Sequence, residues 1–236
     1  MKIVVILLTW QRIPLLKKTL ALLQQQSYKD FDIHISNGDL EKSSIVNRIA
    51  RSFFNTYGLN IHVTHEGNDY SCFRRFFIGK EYAENGYDAV MFLDDDIVIP
   101  TNYIQRFVDD YEPKTYLSAY TWTFQDNGAD YYTKRKRVYS NEENIKYGGA
   151  GVAMVDASVF LEQGLLDAPK EAYQIDDLWM SYYCDHILGW NIKYVPVPQL
   201  AIGGGDSVAL YRKIKRSGGT DKAMFLRQLV DNGWKV

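Results

Sequence analysis

Residues 91–100, "MFLDDDIVIP", set three carboxylates, Asp94, Asp95 and Asp96, between an apolar run and Ile97-Val98-Ile99. Adjacent negative charges repel, and aspartate is a poor former of both strand and helix. The segments before it alternate. "KIVVILL" is the continuous apolar run of a strand buried on both faces. "RIPLLKKTLALLQQQ" follows, with Pro14 suited to a first helical turn. "FDIHIS" and "NIHVTHEG" read as the second and third strands, and "SSIVNRIARSFFNTY" and "YSCFRRFFIGKEYAENG" as helices. "YDAVMFL" is then a fourth strand, and it delivers the aspartates. Strands separated by helices of about 10–15 residues imply right-handed crossovers. The expected fold is α/β: a mostly parallel, Rossmann-like sheet with helices on both faces.

The second half reads differently. "TYLSAYTWTF" and "DYYTKRKRVYS" suggest ribbon or loop, "YGGAGVAMVD" a glycine-flanked strand, and "IDDLWMSYYCDHILGW" a helix. "NIKYVPVP" is extended, and two short helical stretches are expected around "GGG" and "SGG". With 236 residues, no internal repeat and no evident linker, the chain reads as one domain over 1–236. Residues 1–100 are expected to form its nucleotide-type half, and 101–236 a mixed acceptor half with a C-terminal lid.

Composition bounds the function. The net charge of −2 gives no electrostatic footprint for nucleic acid. Two cysteines, Cys72 and Cys184, make neither a disulfide scaffold nor a metal cluster. The apolar run from Ile3 to Leu8 is too short for a signal sequence or a membrane span, so a cytoplasmic location is expected.

In an open parallel sheet, ligands bind beyond the carboxyl ends of the strands, which is where the triplet stands. If the chain stays extended there, Asp94 and Asp96 project to one side, roughly 6.5–7 Å apart at Cα, and Asp95 points away. Two converging carboxylates call for a counter-charge. Mg²⁺ or Mn²⁺ supplies one, taking one or two carboxylates and completing its shell with water and substrate phosphates. The plainer alternative is a loop cluster that caps the helix starting near Thr101.

On these residues the chain resembles the GT-A-type nucleotide-sugar glycosyltransferases, most closely the family 2-like inverting enzymes. The resemblance runs through "ILLTWQR", "ISNGD", "FLDDD", "GGAGVAMVD" and "IDDLWMSYYCDHILGWNIKYVPV", in that order. It implies sugar transfer from a nucleoside-diphosphate sugar, a UDP-sugar first, to a carbohydrate or glycan acceptor, with Mn²⁺ or Mg²⁺ as cofactor. Base and ribose contacts carry over to Thr9, Arg12, Asn37 and Asp39, although "SNGD" is equally an ordinary turn. Arg74, or its neighbour Arg75, would reach the diphosphate. Asp94 and Asp96 would hold the metal, with Asp94 and Asp95 beside the donor.

The same resemblance places Gly149 and Trp179 at the sugar and acceptor, Trp179 as an aromatic face for a sugar ring. Asp177, or Asp176 next to it, would be the base that takes the acceptor hydroxyl's proton. A helix N-terminus stabilises the anion and so works against basicity there, and an N-capping pair is the plain alternative. The run Lys134–Arg137, "KRKR", is either a solvated ribbon or an attraction for a phosphorylated or membrane-borne acceptor. The chain has no His after His186, so the resemblance leaves the last metal ligand to Asp206 or water, and Arg212 and Lys213 to the phosphates. Two rivals remain: a nucleotidyltransferase, although "TWQRIP" lacks that class's glycine-rich loop, and a non-catalytic nucleotide- or sugar-binding module.

Overall fold

The computed structural model describes every residue except 68, 69, 129, 199 and 203–220. Strands β1 (Ile3–Thr9), β2 (Phe31–Asn37), β3 (Ile61–His65) and β4 (Ala89–Asp94) are linked by helices α1 (Ile13–Gln24), α2 (Ser43–Tyr57) and α3 (Arg74–Glu84). These are the expected elements. β1 lies between β2 and β4, β3 lies outside β2, and every pairing in this group is parallel. Pro14 sits in the first turn of α1. Gly58 takes φ +70° to end α2, and its N–H returns to the carbonyl of Phe54.

Beyond a short strand β5 (Ile97–Val98) and helix α4 (Tyr103–Asp109), the chain widens the sheet with β6 (Thr115–Ser118). It then builds a small antiparallel sheet from β7 (Thr121–Phe124), β8 (Arg135–Val138) and β9 (Tyr147–Gly148). β10 (Val152–Asp156) returns to the main sheet as its antiparallel member, between β4 and β6. Helix α5 (Asp176–Tyr182) runs into a π-turn over Tyr183–Ile187. β11 (Asn191–Tyr194) then pairs with β6, β12 (Ala201–Ile202) pairs with β5, and α6 (Lys222–Asp231) follows. The main sheet has seven strands, in the order β11-β6-β10-β4-β1-β2-β3.

Two segments read above as single units each divide between the sheets. "TYLSAYTWTF" supplies β6 and β7, and "YGGAGVAMVD" supplies β9 and β10. The Ser118 hydroxyl holds the crossing together, donating to the carbonyls of Tyr120 and Gly149 at 2.9 and 3.0 Å. The Gly149 N–H donates to Tyr120 O at 2.7 Å alongside.

The core follows from strand alternation. Ile3, Val5 and Leu7 pack with Leu20 of α1, Ile49 of α2 and Phe107 of α4 on one face. Val4 and Ile6 pack with Phe76 of α3, Leu178 of α5 and Leu226 of α6 on the other. α3 lies so close to Phe160 that a Cβ on Gly79 would stand 2.7 Å from its ring. No helix among the described residues is long and apolar enough to cross a membrane.

Candidate active site

β4 ends at Asp94 on the carboxyl rim of the parallel strands, and the backbone turns at Asp95 and Asp96 before β5. The premise of an extended triplet is therefore corrected: a turn, not strand alternation, orients these side chains. Asp94 is the most open of the three, its side chain 45 % exposed, with Oδ1 3.3 Å from Arg75 Nη2. Its carboxylate lies directly over Gly151, where a Cβ would come within 2.1 Å of Oδ2. Only glycine leaves room for it. The Asp94 N–H also donates to Gly151 O at 3.0 Å, so this glycine just before β10 holds the backbone and seats the side chain.

Asp95 is buried and bonded to Arg12 Nη1 at 2.6 Å, and its carbonyl accepts from Thr19 Oγ1 at 3.0 Å. Burial pushes its carboxyl up to about 7 in spite of Arg12. It anchors the turn to α1. Asp96 Oδ2 lies 3.4 Å from the same Arg12 nitrogen. Burial, and then Asp94, raise the pKa of Asp96. Arg12 is thus a counter-charge to the triplet.

The second acidic group comes from α5, more than eighty residues later. Asp176 is buried, with Oδ2 3.0 Å from Arg75 Nε, outside hydrogen-bonding geometry. Burial pushes it up to about 6 against the pull of Arg75. Arg75 therefore touches both Asp94 and Asp176, and also donates to Ala150 O at 3.4 Å. Burial disfavours its charge, but the two aspartates more than offset this and raise its pKa.

Asp177, the more open of the acidic pair, accepts from Lys222 Nζ at 2.6 Å, from the Tyr147 hydroxyl, and from the Leu178 N–H at 2.9 Å. Burial pushes its carboxyl up, but Lys222 and Tyr147 outweigh that and leave it below the ordinary carboxylate range.

The other expected site residues divide. Thr9 and Asn37 face each other across the ends of β1 and β2. Thr9 Oγ1 and the neighbouring Ser36 Oγ are buried hydroxyls without a hydrogen-bond partner among the described residues. Asn37 builds the turn, donating to Asp39 O at 2.7 Å and accepting from the Asp39 N–H at 3.2 Å. Asp39 caps the short helical turn after it through the Glu41 N–H, at 3.1 Å.

Arg74, expected at the diphosphate, has a buried guanidinium that donates to the carbonyls of Gly67, Thr9 and Ser36 and so ties the ends of β1 and β2 to the segment after β3. Gly38 permits this, since a Cβ there would meet Arg74 Nη1 at 2.4 Å. Trp179, expected at the sugar, is buried in the core and donates from Nε1 to Leu165 O at 2.9 Å. Gly149 lies beside Trp122, whose ring stacks on Tyr147 and carries the Arg135 and Arg137 guanidinium groups. The "KRKR" run alternates accordingly. Its arginines lie on aromatic rings, and Lys134 and Lys136 pair with Asp126 and Glu143. Asp206, Arg212 and Lys213 lie outside the described residues.

Sequence reading missed Gly151 as the bed for Asp94, and Lys222 altogether. The first carried a faint signal in the glycine-rich stretch, the second none.

Among the described residues, no three His, Cys, Asp or Glu side chains converge into a ready-made cation cage. The donor set nevertheless suits a hard cation whose shell is completed by a ligand. Among the described residues, five carboxylates (Asp94, Asp95, Asp96, Asp176, Asp177) meet three paired cations (Arg12, Arg75, Lys222). Asp94 and Asp96 are the two of the triplet open to solvent.

A mostly parallel sheet with carboxylates on its rim and a small antiparallel sheet beside it defines the GT-A class. The model of "Glycosyl transferase family 2" matches residues 4–164, and the chain belongs to that family. A search of curated proteins gives no match. Among solved structures, the chain is similar to the mannosyltransferase PcManGT from Pyrobaculum calidifontis, in complex with GDP-Man and Mn²⁺. The TM-score is 0.64 at 15% identity, over 99% of this chain and 65% of that one. It is also similar to S. aureus TarS in complex with UDP (TM-score 0.53, 14% identity, 78% of this chain and 55% of that one). A putative glucose-1-phosphate thymidylyltransferase from Bacillus anthracis shares the fold (TM-score 0.54, 13% identity, 94% and 99%). At these identities the likeness speaks to fold alone. The chain spans less than two thirds of the length of the two transferases.

Proposed function

We propose that the protein transfers a glycosyl group from a nucleoside-diphosphate sugar, a UDP-sugar in the first instance, to a hydroxyl of a carbohydrate or glycan acceptor, with inversion. The observation that carries this reading is Arg75: one side chain spans Asp94 on the strand rim and Asp176 in the acidic pair. Residues 1–100 form the nucleotide side and 101–236 the acceptor side. The donor would sit at the ends of β1 and β2, where the buried hydroxyls of Thr9 and Ser36 have no hydrogen-bond partner among the described residues.

Asp94 and Asp96 are the residues to hold Mn²⁺ or Mg²⁺, which when bound would stabilise charge gathering on the departing diphosphate. Arg75 keeps Asp94 and Asp176 apart in charge and fixes where each points. Asp177 is the base. Its side chain is 16% exposed against 7% for Asp176, so an acceptor hydroxyl reaches it first. It takes that hydroxyl's proton as the oxygen attacks the anomeric carbon opposite the leaving group. Gly149 lines the acceptor side.

The test is a panel of UDP-, GDP- and dTDP-sugars with Mn²⁺, read as diphosphate release and as the anomeric configuration of the product. D177N should abolish release and leave donor binding intact. Indifference to every donor points instead to a non-catalytic module, and a D177N protein as active as the parent removes Asp177 as the base. The nucleotidyltransferase alternative draws on the thymidylyltransferase likeness, but the turn after β1, "TWQRIP", has no glycine to cradle a triphosphate.

A further inference from the structure

Lys222 is the first residue of α6, forty-five positions from Asp177 in sequence. Its Nζ lies 2.6 Å from Asp177 Oδ2, 3.4 Å from the Tyr147 hydroxyl and 3.5 Å from the Tyr131 hydroxyl. Its helix is held in register. Asp221 caps the N-terminus through the Ala223 N–H at 2.9 Å, and Phe225, Leu226 and Leu229 are buried in the core. The ammonium is therefore delivered by a packed element, not by a free surface arm.

Among the described residues, the charged and titratable groups around Asp177 come from five directions. They are Lys222 from α6, Tyr147 from β9, Tyr131 from the loop before β8, Tyr116 from β6, and Asp176 from its own helix. Only Lys222 among them carries positive charge. A carboxylate with one ammonium and one phenol on the same oxygen is held in one orientation, and Oδ1 is fixed separately by the Leu178 N–H.

We propose that Lys222 is a positioning residue for the reaction, pinning the C-terminal helix to the base Asp177 and setting both its orientation and its readiness to take a proton. This rests on the reading of Asp177 as base. The electrostatics agree: Lys222 and Tyr147 lower the Asp177 carboxyl, while Asp177 raises Lys222. The consequence is a base that stays ionised well into acid, at the cost of basicity, until the acceptor is in place.

The test compares the parent protein with K222M, K222R and Y147F. One readout is the side-chain carboxyl ¹³C titration of Asp177, assigned with D177N. The other is the pH profile of diphosphate release from UDP-glucose or GDP-mannose with Mn²⁺. K222M should move the titration midpoint and the acid limb upward together by at least one pH unit. K222R should restore both, and Y147F should move them the same way by less. If D177N is inactive but neither K222M nor Y147F moves the midpoint or the limb, the inference fails alone. If D177N turns over normally, the base assignment fails and the inference falls with it.

Discussion

Gly151 offers the sharpest test of how the site is built. An alanine Cβ at that position would lie 2.1 Å from Asp94 Oδ2 and 2.5 Å from Asp94 Cγ. A carbon–oxygen contact needs roughly 3.4 Å, so the carboxylate must retreat by about 1.3 Å. Its backbone does not move with it, because the Asp94 N–H bond to Gly151 O involves no side chain. Nor is Ala strained in the backbone: Gly151 is absent from the positive-φ glycines. Asp94 is half exposed and swings into water at little cost, so the fold should lose no more than about 1 kcal/mol, or about 2–4 °C in Tm. A misplacement of about 1 Å in a reacting constellation costs about 100-fold in rate, equivalent to about 2.7 kcal/mol of barrier. G151A should therefore lose no more than about 4 °C in Tm but about 100-fold in kcat/KM for diphosphate release with Mn²⁺. A G151A protein within threefold of the parent would show that the seat of Asp94 does not matter, and the metal assignment would lose its structural basis.

Three further outcomes follow from other contacts. D94N and D96N should each abolish the rise in Tm that Mn²⁺ plus UDP or GDP produces in the parent, and a full shift in either variant tells against that residue as a ligand. His34 is buried between the Tyr82 and Thr64 hydroxyls, and burial, then His62, lower its pKa from 6.5 to about 3. Below pH 6.5 the unfolded chain gains a proton that the folded one refuses, so stability falls by up to about 1.4 kcal/mol per pH unit towards pH 3. H34Q should flatten that slope in urea denaturation at stepped pH, and parallel slopes in the two proteins would contradict it. G79A drives a methyl into the Phe160 ring at 2.7 Å and should destabilise by about 1–3 kcal/mol, less up to about 1 kcal/mol of helix propensity; a stabilised variant would mean that Phe160 yields freely.

The first four strands and three helices were legible because each is set by local periodicity, and the rim position of Asp94 follows from where β4 stops. What sequence could not show lies in contacts between distant segments. Gly151 meets Asp94 only because β10 inserts antiparallel between β4 and β6, a pairing no local pattern specifies. Arg74 and Arg75 are equivalent on paper, yet a step of about 100° around α3 turns one onto strand-end carbonyls and the other onto the aspartates. Trp179 shares its neighbourhood with the acidic pair but sits on the core face of α5, where Leu165 satisfies its N–H. Lys222 reaches Asp177 from the far end of the chain, and nothing in "TDKAMF" sets it apart from a solvated lysine.

The account stands most directly on where a divalent cation binds. Crystals grown with Mn²⁺ and UDP or GDP, measured at the manganese absorption edge, should give one strong anomalous peak against the Asp94 and Asp96 carboxylates with the diphosphate completing its shell. A bound diphosphate with no peak there, or a peak held by other side chains, would contradict it.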